Sequence, residues 1–127
     1  MNPLFTILSA AYIFGIFFLA DSPAVSQIGE FNPHSLLHIP LYGVLTGLLL
    51  LAVASKPGTN FAIRYHLAAW IAVTVGILDE YYQAFIPSRE GSVGDVFLDI
   101  LGVILVVILA RRVSPSLWLR PFQGGKK

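Results

Sequence analysis

The sequence predicts an all-α integral membrane bundle of four transmembrane helices, and three observations carry the prediction. Apolar residues make up 56% of the 127 residues and charged residues only 12%, against about 45–50% and about 25% in soluble domains. A soluble chain this small needs polar groups over a proportionally large surface, and this one has too few. The apolar residues also fall into four long runs, at 4–20, 35–55, 62–86 and 93–110. Each is near the roughly 20 residues with which a helix crosses a hydrocarbon core of about 30 Å. Finally, turn formers separate the runs at Pro23, Asn32-Pro33, Lys56-Pro57-Gly58 and Pro87 to Gly91. With no internal repeat and short connections, residues 1–127 are expected to form a single domain.

The first run is short and resembles the core of a signal peptide. It lacks a basic leading segment and three further runs follow it, so it is expected to remain as an anchor. The second, third and fourth runs each carry polar residues near one end. After the fourth comes a tail, 111–127, with five basic residues, suited to anchoring at anionic lipid headgroups. Pairs of small residues four apart, Ala11/Gly15, Gly43/Gly47 and Ala72/Gly76, suit close helix packing in lipid. Gly43 and Gly47 are the expected packing face, either within the chain or between copies in a homo-oligomer.

Charge sets the expected orientation. With both termini cytoplasmic, Lys56, Arg64, Arg111, Arg112, Arg120, Lys126 and Lys127 all fall inside and Arg89 alone falls outside, as the positive-inside rule requires. The acids Asp21, Glu30, Asp79, Glu80, Glu90, Asp95 and Asp99 all gather toward the outer face. The formal net charge of +1 lacks the concentrated basic face of a nucleic-acid binder. Absence of cysteine removes disulfides, thiolate ligands and cysteine nucleophiles.

Three polar stripes emerge from helical periodicity. His34, His38 and Tyr42 recur every four residues on the second run. On the third, Asp79 and Gln83 share a face, with Glu80 turned about 100° away. On the fourth, Ser92, Asp95, Asp99 and Gly102 form one stripe. Consecutive helices with short loops are usually neighbours, so the stripes are expected to face one another beside Arg89. At 1.5 Å per residue, Asp79 lies about 22 Å and Asp99 about 18 Å above the cytoplasmic interface. The result would be a funnel opening outward.

A carboxylate at that depth is expensive, roughly 2.5–3.5 kcal/mol on insertion scales. Four of them, Asp79, Glu80, Asp95 and Asp99, face one positive charge from Arg89. Protonation of some carboxyls, a divalent metal ion, or a cationic group on a substrate would each relieve the excess. His38, Asp79, Glu80 and Asp99 are the candidate metal ligands, although a lone histidine is more often a hydrogen-bonded structural residue. Asp95 suits the positive end of its helix dipole as well as it suits the site. Arg89 fits an interfacial anchor, but also a phosphate or carboxylate on an incoming ligand. Tyr12, Tyr65, Trp70 and Trp118 are expected to be interfacial or packing aromatics.

The segment from Asp79 to Gly102, DEYYQAFIPSREGSVGDVFLDILG, with the upstream HIPLYGVL, resembles the VanZ-like family. The matching positions are His38 and Tyr42, then Asp79, Glu80 and Gln83, then Pro87 and Arg89, then Ser92, Asp95 and Gly102. Two positions depart from the family's pattern: Asp99 stands where the family usually has asparagine, and Ser35 where a basic residue is frequent. Both make the pocket more negative. The resemblance implies the bacterial cytoplasmic (inner) membrane and a role at the cell envelope. The founding member is linked to resistance to the lipoglycopeptide teicoplanin.

Three functions fit these residues. The first is a binding protein for a membrane lipid or lipid-linked amphiphile, with His38, Tyr42, Asp79, Glu80, Gln83, Arg89, Asp95 and Asp99 lining the site. The second is a membrane hydrolase or transferase, with Asp79, Glu80 and Asp99 as candidate acid/base groups or holders of a divalent metal. The third is a scaffold subunit of a membrane complex. No His-Glu-x-x-His motif is present, which weighs toward binding over catalysis.

Overall fold

The structure is a computed structural model that describes residues 1–23, 34–54, 60–87, 89 and 91–113. The expectations placed on Glu30, Lys56, Glu90, Trp118 and the tail beyond residue 113 fall outside them, as do the side chains of His34 and Ser35. Among the described residues there are four α-helices and no strand: α1 (Pro3–Ala20), α2 (His38–Ala54), α3 (Phe61–Gln83) and α4 (Val93–Arg112), with a 3-10 turn, His34–Leu37, leading into α2.

Local sequence explains the helix ends. Asn2 caps α1, its side-chain oxygen accepting from the backbone N–H of Leu4 at 3.0 Å and Phe5 at 3.4 Å, and Pro3 occupies the first turn, where its missing N–H is not needed. Asn60 caps α3 in the same way through the N–H of Ala62 at 2.9 Å. Asp95 lies in the first turn of α4 and Arg111 and Arg112 in its last, each sign placed to suit the helix dipole. Within α2, Pro40 has no N–H to bond the carbonyl of Leu36, so regular α-helical bonding starts only after the 3-10 turn.

Three helices, α1, α3 and α4, are long and apolar enough to cross a membrane. The fourth, α2, is shorter than its apolar run: its 17 residues span about 25 Å. It is also the most enclosed, because it packs against each of the other three helices, most extensively against α4. Among the described residues, α1 lies against α2 and to a lesser extent α3.

The helices alternate in direction. At one end the N–H of Asn2 reaches the carbonyl of Ala52 at 2.8 Å, Arg64 donates to the carbonyl of Ala54, and Tyr65 donates to the carbonyl of Ala110 at 3.3 Å. At the other end, His38 meets Asp99 and Arg89 meets the carbonyl of Ala20. Arg64, Arg111 and Arg112 thus share one end, and Asp79, Glu80, Asp95 and Asp99 lie toward the other.

Burial differs from that of a water-soluble bundle. Phe14, Phe18, Trp70, Phe85, Phe97 and Leu109 are exposed, while the interior combines Tyr42, Leu45, Leu49 and Val103 with small residues and with the charged side chains of Arg64, Asp79, Glu80 and Asp99. Lipid accepts those apolar faces, so helix association depends on close packing instead of hydrophobic burial. The hydroxyls of Ser9, Thr46 and Thr74 bond back to carbonyls one turn earlier, at 2.7–2.8 Å. Such self-satisfaction is what an apolar solvent demands of a polar side chain.

Two glycines set the distance between helices. A Cβ on Gly102 would run into the backbone carbonyl of Ile39 on α2, and one on Gly43 would come to 3.3 Å from Val106 of α4. Gly43 therefore packs inside the chain. Gly47 has nothing within 4 Å of its Cβ position, so the pair divides between a close helix crossing and open space.

Candidate functional site

The bundle brings one short stretch of each of α2, α3 and α4 together at the end opposite Arg64. α2 contributes His38 and Tyr42, one turn apart, with their rings parallel and centroids 6.3 Å apart. α3 contributes Asp79, Glu80 and Gln83. From α4 come Asp95 and Asp99. All but Asp95 are buried, and Asp79 and Asp99 are at most 1% exposed.

Each side chain has a defined partner. His38 Nδ1 lies 2.7 Å from Asp99 Oδ1. The other ring nitrogen, Nε2, faces Glu80 Oε1 at 3.9 Å and Asp95 Oδ2 at 4.0 Å. The Tyr42 hydroxyl donates to Asp79 Oδ2 at 3.0 Å. Glu80 Oε2 accepts from the backbone N–H of Ser92 at 2.8 Å, which ties α3 to the start of α4. Arg89 donates to Gln83 Oε1 at 2.8 Å and to the carbonyl of Ala20 at 3.2 Å, bracing the ends of α3 and α1.

Space for Asp99 is made by Gly76 on α3, where a Cβ would stand 2.8 Å from Asp99 Oδ2. The Ala72/Gly76 pair therefore serves the carboxylate as well as helix packing. Gly91 does similar work in the α3–α4 connection: a Cβ there would approach the Glu80 carbonyl to 2.7 Å.

The electrostatics are unbalanced. Among the described residues, none of the four acids pairs with a lysine or arginine; Glu80, Asp95 and Asp99 face the imidazole of His38, and Asp79 is met by the Tyr42 hydroxyl. Asp79 Oδ1, Glu80 Oε1 and Asp99 Oδ2 are buried and find no hydrogen-bond donor among the described residues. Ligand atoms of His38, Glu80 and Asp95 lie within 4.8 Å of one another. Two ionised carboxylates at that spacing repel by about 3 kcal/mol at an effective dielectric constant of 20. A buried site with unused acceptors and excess negative charge is matched to a cation or to hydrogen-bond donors on a ligand.

Beside the cluster is a cavity of about 400 Å³ between α1, α2 and α3. Ala11, Gly15, Ile16, Leu19, Leu37 and Leu41 form apolar walls, and His38, Asp79, Gln83 and Arg89 form its polar part. Tyr12 also lines it and donates its hydroxyl to the carbonyl of Leu41 at 2.9 Å.

Of the residues singled out in the sequence, His38, Tyr42, Asp79, Glu80, Gln83, Asp95 and Asp99 converge, with Arg89 at their margin. The divisions among them were not foreseen. Asp79 is engaged by Tyr42 and Asp99 by His38 Nδ1, so the grouping with metal-ligand spacing is His38, Glu80 and Asp95. Arg89 braces two helix ends while also facing the cavity. α1 carries no polar stripe and was not expected in the site, yet its small residues Ala11 and Gly15, on one face with Tyr12, Ile16 and Leu19, form a wall of the cavity.

These features define a polytopic helical membrane protein with an acidic, imidazole-containing interior site. The family model described as VanZ/LLP1 matches residues 34–114, from the 3-10 turn before α2 to just beyond α4, and the chain belongs to that family. Neither the curated proteins nor the solved structures contain a match. The matched segment holds every residue of the polar cluster, while α1, which walls the cavity, precedes it.

Proposed function

We propose that this protein binds a lipid-linked or amphiphilic molecule of the bacterial cell envelope, and that it does so at the inner membrane with the acidic end of the bundle facing outward. One observation carries the reading: the cavity between α1, α2 and α3 is apolar along most of its wall and ends on His38, Asp79, Gln83 and Arg89. That division suits a molecule with an acyl or prenyl portion and a polar head. Asp79 Oδ1 accepts from a hydroxyl or amine of the head, since burial without a donor is otherwise unfavourable. The guanidinium of Arg89, already positioned by Gln83 and Ala20, offers its remaining N–H groups to a phosphate or carboxylate.

Purified protein in mild detergent should retain such a lipid, detectable by native mass spectrometry and by extraction. Gly15 has nothing within 4 Å of its Cβ position and lines the cavity, so Gly15→Leu directs a bulky apolar side chain into that space. Retention should fall several-fold in Gly15→Leu and in Arg89→Ala. Equal retention by wild type and both variants would end the proposal.

A second reading, a hydrolase or transferase acting on the same class of molecule, is favoured by one contact. Asp99 at His38 Nδ1 fixes the imidazole and turns Nε2 toward the other carboxylates, an arrangement suited to moving a proton. Mass analysis separates the readings, because binding returns the lipid unchanged and catalysis returns a product.

A further inference from the structure

We infer that His38 Nε2, Glu80 Oε1 and Asp95 Oδ2 form a site for a divalent transition-metal ion, of which zinc is the best matched. The inference does not rest on lipid binding; it concerns the acidic pocket beside the cavity.

Three independent features point to it. The first is donor chemistry and spacing. An imidazole nitrogen lies 3.9 Å from one carboxylate oxygen and 4.0 Å from another, and the three ligand atoms are all within 4.8 Å of one another. Bonds of about 2.0–2.2 Å place tetrahedral zinc ligands about 3.4 Å apart. Contraction by about 0.5 Å for the two histidine pairs, and by up to about 1.4 Å for the Glu80–Asp95 pair, would close the set around an ion, with the less buried Asp95 side chain making most of the movement. The second feature is Glu80 itself. Its side chain is 6% exposed, Oε2 is fixed by the N–H of Ser92 at 2.8 Å, and Oε1 faces the imidazole with no hydrogen-bond donor among the described residues. A held carboxylate with its unused oxygen turned toward another ligand is what a metal site requires.

The third feature is the contact at the other ring nitrogen. Asp99 Oδ1 sits 2.7 Å from His38 Nδ1. Metal-bound histidines almost always donate their second N–H to such a carboxylate or carbonyl, which fixes the tautomer and raises the basicity of the ligating nitrogen. Asp99 is thus a positioning residue and Gly76 makes the room for it. The nitrogen ligand favours zinc over magnesium, which prefers an all-oxygen shell and keeps its waters. Three protein ligands leave a coordination position open, as in zinc sites that act on a bound water or ligand.

The test uses the full chain in detergent, stripped with a chelator and then titrated with zinc alone or magnesium alone. Bound metal is counted by atomic emission and the thermal unfolding midpoint is followed. The site predicts about one zinc per chain, a midpoint that rises with zinc, and little response to magnesium. Glu80→Gln and Asp95→Asn should each weaken zinc binding at least tenfold, and Asp99→Ala by about 10–100-fold through the histidine. Asp95 is the variant least prone to misfolding, since its side chain is 13% exposed. Asp21→Asn and His66→Ala, exposed residues outside the set, should leave binding unchanged. Failure to retain zinc overturns the inference. So does zinc binding that survives both Glu80→Gln and Asp95→Asn, or that is lost with His66→Ala.

Discussion

Replacing Gly102 with alanine tests the contact on which the polar cluster depends. Gly102 lies on α4 one turn beyond Asp99 and presses against the backbone of Ile39, the residue after His38 on α2. An added Cβ would overlap the Ile39 carbonyl and come to 3.1 Å from both its carbon and Cα. Those atoms are main chain, with no rotamer to move aside, so the helices themselves must separate. Overpacking of this kind typically costs about 1–3 kcal/mol, and the upper part of that range applies where backbone opposes backbone. Separation also has a specific consequence for the site. The His38–Asp99 contact is 2.7 Å, and an opening of about 1 Å takes it past the hydrogen-bonding limit. Unfolding titrations in mixed micelles, compared with Gly47→Ala, provide the assay, since Gly47 has nothing within 4 Å of its Cβ position. The expected result is clear destabilisation for Gly102→Ala with little change for Gly47→Ala, together with an altered nitrogen resonance for the His38 imidazole. Two variants of equal stability with unperturbed His38 signals would refute the α2–α4 geometry.

Further outcomes follow from individual side chains. Tyr42→Phe removes the donor 3.0 Å from Asp79 Oδ2 and leaves a buried acceptor unsatisfied, so stability should fall by about 1–3 kcal/mol; a change below the error of an unfolding titration would contradict it. Asp99→Asn keeps the shape and the acceptor facing His38 while removing one charge from a crowded set. It should match or exceed wild type in metal-free stability, whereas Asp99→Ala, which also opens a void beside Gly76, should be the least stable of the three in thermal melts. Arg89→Ala frees the ends of α1 and α3 from their shared brace, and faster backbone amide exchange at the carboxyl end of α1 should report it; unchanged exchange would mean the brace is idle.

The all-helical membrane fold was legible because lipid imposes a simple requirement on sequence. Backbone polar groups must be satisfied within the segment, so long apolar runs in this chain become helices whatever their neighbours. The basic end of α4 could be read in the same local terms, whereas the caps Asn2 and Asn60 emerged only with the structure. Helical period also placed His38 with Tyr42 and Asp79 with Gln83, and short connections made the three stripes neighbours. Their convergence follows from those facts together with alternation of helix direction.

Pairing within the cluster depended on what local sequence does not contain. Nothing in the spacing of Asp95 and Asp99 says that Asp99 takes His38 Nδ1 while Asp95 turns toward Nε2. Gly76, an apparent packing residue, decides this by leaving room for the Asp99 carboxylate, and Gly102 brings α4 close enough for the contact. Glu80, about 100° round the helix from Asp79, enters the same interior because the N–H of Ser92 folds back to hold it. The cavity wall from α1 is likewise a product of packing, since Gly15 and Ile16 are adjacent in sequence to exposed Phe14. By itself the sequence determined that the chain forms apolar helices and that His38, Asp79, Glu80, Asp95 and Asp99 lie toward one end, because rise, period and the demands of lipid act residue by residue. Only the tertiary structure decided which carboxylate meets which nitrogen and where a cavity opens, because distances of 3–4 Å between helices depend on which side chains are missing at their crossings.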